Sequence, residues 1–460
     1  MFYLCFFIVR SSRFSFERRL RERFGVDRHW WVPLLALGFA FSFSIVGFSA
    51  VRTAFVQKFD IIVLIFSFGV MAEGLRESGF FRHMAYRIVE RVNGNTEKLV
   101  LSMFVFTSAV TFFTSNDIVI YVLTPIIVAI CFQAGIENTK PILLSQFIAA
   151  NTLSMGLLIG SPTNLIVADS LGLGFFNYLS LMFLPALVAF LSSLLLLKLT
   201  LNLVRRSWFP FLPDLEFSSS FEMQEKNPEP EFTSLMRNWV LIFGFFVALV
   251  AVVTYLHLSL LWCAVPAIML SLGYWHFSNE IPDPVGKPLG DLPYGIFFFG
   301  MTFFVFAEQF SRTGFVNNEL VPVLQNFFQG GGLKVSLAGV FGSGILVNMF
   351  NDLPASALVA QILPKLELAP ATETVLTQAS LVGLNIGTYV TEIGALAGLI
   401  WFEEMRLQRD EEESSFPDLA GKMSFPGRLD LIRFGVMHFV LTGLVVSVFL
   451  FLEWMVLSGF

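Results

Sequence analysis

Thr111–Pro125 reads TFFTSNDIVIYVLTP and sets Ser115, Asn116 and Asp117 in the middle of an apolar run from about Leu99 to Phe132. An ionisable side chain at bilayer depth costs about 2.5–3.5 kcal/mol on insertion scales and marks a functional position by default. Thr114 adds another hydroxyl, and Pro125 interrupts the second apolar arm. The stretch reads as a re-entrant helical hairpin over residues 98–133 that turns at Ser115–Asp117 and leaves on the side it entered. Backbone of that kind survives at depth only where it is packed in protein or lines a wet cavity. The rest of the chain is therefore read as the housing of that cavity.

Composition agrees. The 460 residues are 55% hydrophobic and 14% charged, and many apolar runs approach the ~20 residues a span requires. This defines an all-α polytopic membrane protein. The net charge of -6 is spread so that basic residues collect in a few loops, leaving no nucleic-acid surface. Cys5, Cys131 and Cys263 lie in apolar segments without pairing or metal spacing, and His29, His83, His257, His276 and His438 are scattered. No phosphate loop, HExxH or Ser/His/Asp arrangement is present, so neither an ATP-driven pump nor an intramembrane enzyme is expected, and no cofactor. A channel filter sequence is also absent.

Seven arginines between Arg10 and Arg28 place residues 1–29 in the cytoplasm by the positive-inside rule. Residues 1–9 are too short to span. A first membrane half is expected over 30–204, with spans at about 30–50 and 59–74 separated by a turn at Arg52 and Lys58. Ser78–Val92 has apolar residues at helical spacing and is expected along the interface. The hairpin follows, then a span over 142–171 broken at NTLSMG and GSPTN, then a span to Val204. Residues 205–237 are polar and proline-bearing and form a cytoplasmic linker. The second half, 238–460, has spans at about 238–256, 259–277 and 294–310 and a second hairpin at 334–364 around Asn351-Asp352. A second broken span (372–402), a charged loop (403–428) and a last span (431–456) follow. With each hairpin counted as no crossing, the loops at 76–98, 205–237 and 402–428 fall inside, and the second hairpin opens outside.

The halves echo each other. Ala72-Glu73 returns as Ala307-Glu308, Gly79-Phe80 as Gly314-Phe315 and Asn116-Asp117 as Asn351-Asp352, each at an offset of 235. Oppositely opening hairpins make these inverted repeats, and inverted repeats with discontinuous helices are the build of a secondary transporter.

Ser115, Asn116 and Asp117 are expected to meet the first break, where Gly160, Ser161, Thr163 and Asn164 offer carbonyls and side-chain oxygens. Asn351 and Asp352 are expected to meet Asn385, Thr388, Thr391 and Glu392. Oxygen ligands suit Na⁺, with Ser115, Asn116 and Asn351 as its candidate ligands, and half-helix N-termini suit an anion. For a single Ser or Thr, helix-to-helix hydrogen bonding explains as much. Glu392 either carries a coupled proton or shapes the field of a vestibule. Glu73 and Glu308, at span ends, are expected to pair with nearby arginines.

LRESGFFRHMAYRIVERVNGN (75–95), FTSNDIVIYVLTPI (113–126), ANTLSMGLLIGSPTNLIVADSLGLGF (150–175) and GLNIGTYVTEIGALAGLIWF (383–402) resemble the ion transporter superfamily. The likeness is closest to its arsenite-efflux-permease branch and related citrate-transporter-like permeases. It implies hairpin tips and broken helices that form substrate and cation sites. It also implies a homodimer in the inner membrane and a transport domain that moves past a scaffold like an elevator. Ser115, Asn116, Asp117, Thr163, Asn164, Asn351 and Asp352 occupy the corresponding places. The chain departs from the family at Glu392, where a neutral residue is usual, and in a short N-terminus expected to lack one helix. Divalent-anion symporters carry Ser-Asn-Thr at both tips, and this chain has Ser115-Asn116-Asp117 and Phe350-Asn351-Asp352. An extra carboxylate repels a dicarboxylate. The expected function is proton-coupled exchange of a small inorganic species, arsenite-like, or of Na⁺. Na⁺-coupled symport of a di- or tricarboxylate or sulfate-like anion is the alternative. The coupling ion is then H⁺ or Na⁺.

Overall fold

The computed structural model describes residues 47–204, 231–278, 312–419 and 421–459, with positions 215, 220, 221, 302, 305 and 308–310 between them. The basic N-terminus, nearly all of the span at 30–50, most of the linker 205–237, the Pro-rich loop 281–293 and most of the span at 294–310 lie outside these residues. Among the described residues the fold is helical, and only isolated bridges join Asn95 to Ser220 and Asn138 to Ser424. Among the described residues, six helices are long and apolar enough to cross a membrane.

The chain divides into two compact units, each built from two separate stretches. The first takes residues up to Glu77 and Asn238–Leu324. Its α1 (Phe48–Glu77) is a single helix, which corrects the expected turn at Arg52 and Lys58. No Gly or Pro falls between Arg52 and Lys58, and the 30 residues of α1 at 1.5 Å each span about 45 Å, so the charged end extends beyond a ~30 Å hydrocarbon layer. α8 (Ser234–Tyr255) and α9 (Leu261–Ser278) lie in the same unit. Gly74 lets the Trp239 ring lie where a Cβ would stand 2.3 Å from it. Trp239 packs on Trp275 at 5.0 Å, and Asn238 donates to the Tyr274 hydroxyl at 3.0 Å.

The second unit, Ser78–Arg237 with Gln325–Phe460, holds both hairpins and both breaks. Gly79, at φ 82, starts α2 (Phe80–Arg91), which buries Phe81, His83, Ala85 and Val89. α3 (Thr96–Phe113) and α4 (Asn116–Gln133) form the first hairpin. α5 (Lys140–Thr152) and α6 (Pro162–Ser170) form the first broken helix, and α7 (Phe175–Val204) follows. After α10 (Val321–Phe328), the second half repeats the sequence of elements. α11 (Leu333–Phe350) and α12 (Asp352–Ile362) form its hairpin, and α13 (Pro370–Ile386) and α14 (Leu396–Ser415) its broken helix. α15 (Arg428–Ser458) ends the chain.

α14 is longer than the span expected to end at 402, because Glu403–Ser415 continues the helix rather than forming a loop. Strong helix formers and the Arg406–Glu403 pair at 2.9 Å sustain it until Pro417. The outward faces are apolar, and small and polar residues stand among the apolar ones on the inward faces. On α15, Leu452 and Val456 are exposed, and Gly435, His438, Thr442, Gly443 and Ser447 are buried. Close approach is the reason: Gly344 lies against Gly387 and the Phe439 ring. Helices in lipid associate through such contacts.

Packing runs crosswise between the halves. α3 lies on α5 and α11 on α13, but α4 packs on α14 and α12 on α6. α7 and α15 pack on each other.

Candidate functional site

The first hairpin tip is fixed by side chains. The Thr114 hydroxyl donates to Val110 O at 2.7 Å as α3 ends, and Ser115 is extended. Asn116 Nδ2 donates to Asn151 Oδ1 at 3.0 Å, and Asn151 in turn donates to Phe147 O at 3.0 Å. Ser115 donates to Asn116 Oδ1 at 3.5 Å. At the second tip Asn351 adopts φ 78, a left-handed value that favours Gly and is paid for by two contacts. Its Nδ2 donates to Ile393 O at 2.8 Å, and its Oδ1 accepts from Leu353 N–H at 3.4 Å.

Both tip carboxylates converge on one helix end. The α14 N-cap, Ala395, is extended and offers no side-chain cap, so the first N–H groups of α14 need outside acceptors. Asp117 accepts from Ala397 N–H, and Asp352 accepts from Leu396 N–H and from Leu353 N–H at 3.0 Å. The two carboxylates are near enough to interact electrostatically. Both are buried, and Asp117 Oδ1 has no hydrogen-bond partner. A helix N-terminus carries about half a positive charge, which suits two carboxylates or an anion.

The first break is held open by backbone that no Cβ could approach. A Cβ on Gly160 would lie 2.1 Å from Ser154 O. Ser161 is the extended N-cap of α6 and accepts from Thr163 N–H at 3.3 Å, with Pro162 in the first helical turn. Asn164 Nδ2 bridges Ser154 O and Leu157 O, each at 2.9 Å. Its Oδ1 accepts from Asn385 Nδ2 at 3.0 Å, and Asn385 Oδ1 accepts from the Ser154 hydroxyl at 3.3 Å. One amide network thus ties the two broken helices together. Thr163 Oγ1 is buried and unpartnered.

In the second break Thr388 donates to Asn385 O at 2.5 Å and Thr391 to Asn348 Oδ1 at 2.8 Å. Glu392 is 8% exposed and accepts from Arg428 Nε at 2.8 Å. The expected grouping of each tip with its own break is therefore altered: Asn116 meets the first broken helix, whereas Asp117 and Asp352 share the second. Of the candidate Na⁺ ligands, Ser115 and Asn116 bond to each other and to Asn151, and Asn351 bonds to the second break. Glu73 and Glu308 pair with Arg76 and Arg312 at 2.6 and 2.9 Å.

Sequence reasoning passed over Asn151, Ser154, Asn348, Tyr389 and Arg428. Asn151 and Ser154 stand in the NTLSMG interruption, whose polarity was the available signal. Tyr389 links the halves: its hydroxyl contacts Thr152 and Ser193, and Ser193 meets Thr442 at 3.0 Å. Arg428 carried no signal, because its partner is distant in sequence.

Apolar helices, intramembrane breaks and buried tip carboxylates define a polytopic membrane transporter. The citrate transporter family model (CitMHS) matches residues 22–383. The chain belongs to this family of the ion transporter superfamily. It is 24% identical over 330 residues to the arsenical pump membrane protein of Escherichia coli (strain K12), covering 71% of this chain and 74% of that one. It is 26% identical over 364 residues to a Bacillus subtilis (strain 168) protein provisionally named an arsenical pump membrane protein, covering 76% and 81%. The corresponding Yersinia enterocolitica protein is 25% identical over 337 residues, covering 71% and 74%.

Proposed function

We propose that the chain is a secondary active transporter that carries a small inorganic oxyanion or metalloid of the arsenite type, or Na⁺, by proton-coupled exchange. One observation carries this reading: Asp117 and Asp352 cap the same half-helix, and Asp117 Oδ1 is buried without a partner. Two carboxylates in one buried site repel each other, and a proton or a cation relieves that repulsion. Arsenite at neutral pH is the uncharged As(OH)₃, whose O–H groups are donors matched to carboxylate and amide oxygens. An uncharged cargo gains nothing from the membrane potential. One coupled charge moved through 100 mV supplies ~2.3 kcal/mol, roughly a 50-fold gradient.

The crosswise packing of α4 on α14 and of α12 on α6 supports an inverted repeat, with α7 and α15 as its paired spans. The repeat-matched Gly79 and Gly314 also share positive φ, 82° and 76°. Collection of both hairpins and both breaks into one compact unit supports an elevator in which that unit is the moving body. The inner membrane and a homodimer complete the reading.

The family match favours one alternative, Na⁺-coupled symport of citrate or a similar anion. Thermal unfolding of the detergent-purified protein separates the two. Na⁺ is compared with choline, and arsenite, sulfate, succinate and citrate are added with and without Na⁺. A ligand at 100 times its Kd stabilises by about 2.7 kcal/mol. A stabilising shift with arsenite in choline, absent in Asp117→Asn, is the expected result. A shift that requires Na⁺ together with citrate replaces this reading with the alternative.

A further inference from the structure

Residues 421–430 form a strap across the second unit. Ser424 N–H donates to Glu137 O at 2.6 Å, and Ser424 O accepts from Thr139 N–H and its hydroxyl at 3.0 and 2.9 Å. Lys140 Nζ pairs with Asp430 Oδ2 at 3.1 Å, and the Phe425 ring lies 6.2 Å from that of Phe132. The strap is thus anchored on the connection between the first hairpin and the first broken helix. A further tie crosses to the other half, where Arg428 Nε meets Glu392 Oε2 at 2.8 Å.

Glu392 stands at a sensitive place. Residue 391 holds Asn348 through its hydroxyl, and residue 393 holds Asn351 through its carbonyl. A Cβ on Gly398 would lie 2.5 Å from Glu392 O, so the first turn of α14 rests on this backbone. The segment between α13 and α14 has no continuous helical ladder, so side-chain ties fix its position. The Glu392 side chain is 9% exposed and that of Arg428 is 60% exposed. One partner of the clamp is inside and the other is in reach of water. Loss of the Arg428 contact weakens the hold on this buried carboxylate, which loosens the break when the tie opens.

We propose that Arg428 and Glu392 form a positioning clamp that holds the break at 391–395 closed. The clamp thereby sets the α14 N–H groups that Asp117 and Asp352 accept, and opening it admits water or cargo on the strap's side. It acts on the site through Glu392 and touches no cargo itself. The proposal rests on the transport reading only for its flux arm.

The test uses a single reporter, Ala395→Cys, in a full-length chain whose three cysteines are replaced by alanine. Ala395 is fully buried at the α14 N-cap. Alkylation by a membrane-impermeant maleimide is timed in everted vesicles, with arsenite flux measured in parallel. Arg428→Ala is expected to speed alkylation at least tenfold, and Arg428→Lys by less. Because Arg428→Ala removes a cation from beside a buried carboxylate, the paired variant Glu392→Gln with Arg428→Gln provides a control for misfolding; it too is expected to alkylate at least tenfold faster. In both clamp-free variants the arsenite KM should rise at least threefold with Vmax within twofold. A reporter as protected in the paired variant as in the parent overturns the clamp. Should no variant, the parent included, carry arsenite, the transport reading fails and the alkylation rates still decide the clamp.

Discussion

Asp117 and Asp352 differ in how completely they are satisfied. Asp352 accepts from Leu353 and Leu396, whereas one oxygen of Asp117 is idle. Replacing either carboxylate by its amide keeps an acceptor oxygen for the α14 N–H groups, so the fold should lose no more than about 1 kcal/mol. Transport should nonetheless fall at least a hundredfold in Asp117→Asn and in Asp352→Asn, with unchanged expression and gel-filtration profile. Flux retained in both would remove the carboxylates from the mechanism. Asn164 is the opposite case. It makes three hydrogen bonds that hold the first break and join it to Asn385. Asn164→Ala removes a donor from Ser154 O and the acceptor of Asn385 Nδ2, while Leu157 O keeps the Gly160 N–H, and should cost roughly 2–3 kcal/mol in thermal unfolding before any effect on transport is considered. Unchanged thermal stability would show that this network does not hold the break. These residues were legible in the sequence because polar groups in a long apolar run are conspicuous. Their partners were less so: Asp117 reaches Ala397, a contact no local pattern specifies.

At the level of elements, hairpin arms and broken helices were legible to within a few residues. Their signals are local: Asn-Asp at a tip, and Gly-Ser-Pro at a break. The misreadings were also local. Arg52 and Lys58 suggested a turn that α1 does not have, and the charge of Glu403–Ser415 suggested a loop where α14 continues. Charge alone does not end a helix that extends out of the hydrocarbon layer; Pro417 gave the better stop signal. The contact of α11 with α15, and with the turn that follows α13, depends on absent side chains. Gly344 sits where a Cβ would lie 2.4 Å from Phe439, and Gly387 where one would lie 2.5 Å from Gly344. Gly344→Val should therefore destabilise the second unit by about 1–3 kcal/mol or more, read as a lower Tm. A Tm unaltered by this substitution would mean that the two helices are free to separate.

At the scale of the molecule, the sequence echo at an offset of 235 predicted which elements correspond, but not their crosswise packing. That arrangement depends on tertiary contacts between stretches distant in sequence, as Asn385 with Asn164 illustrates. Its consequence is a single site to which both halves contribute a carboxylate. Coupling follows if protonation of that pair and occupancy by cargo exclude each other. The most direct measurement is arsenite flux into everted, protein-containing vesicles in Na⁺-free choline buffer, with a pH gradient of either sign imposed. Uptake should follow an acid interior, vanish when the gradient is collapsed, and be lost in Asp117→Asn. Uptake that ignores the pH gradient and requires Na⁺ would contradict proton-coupled exchange at the paired carboxylates.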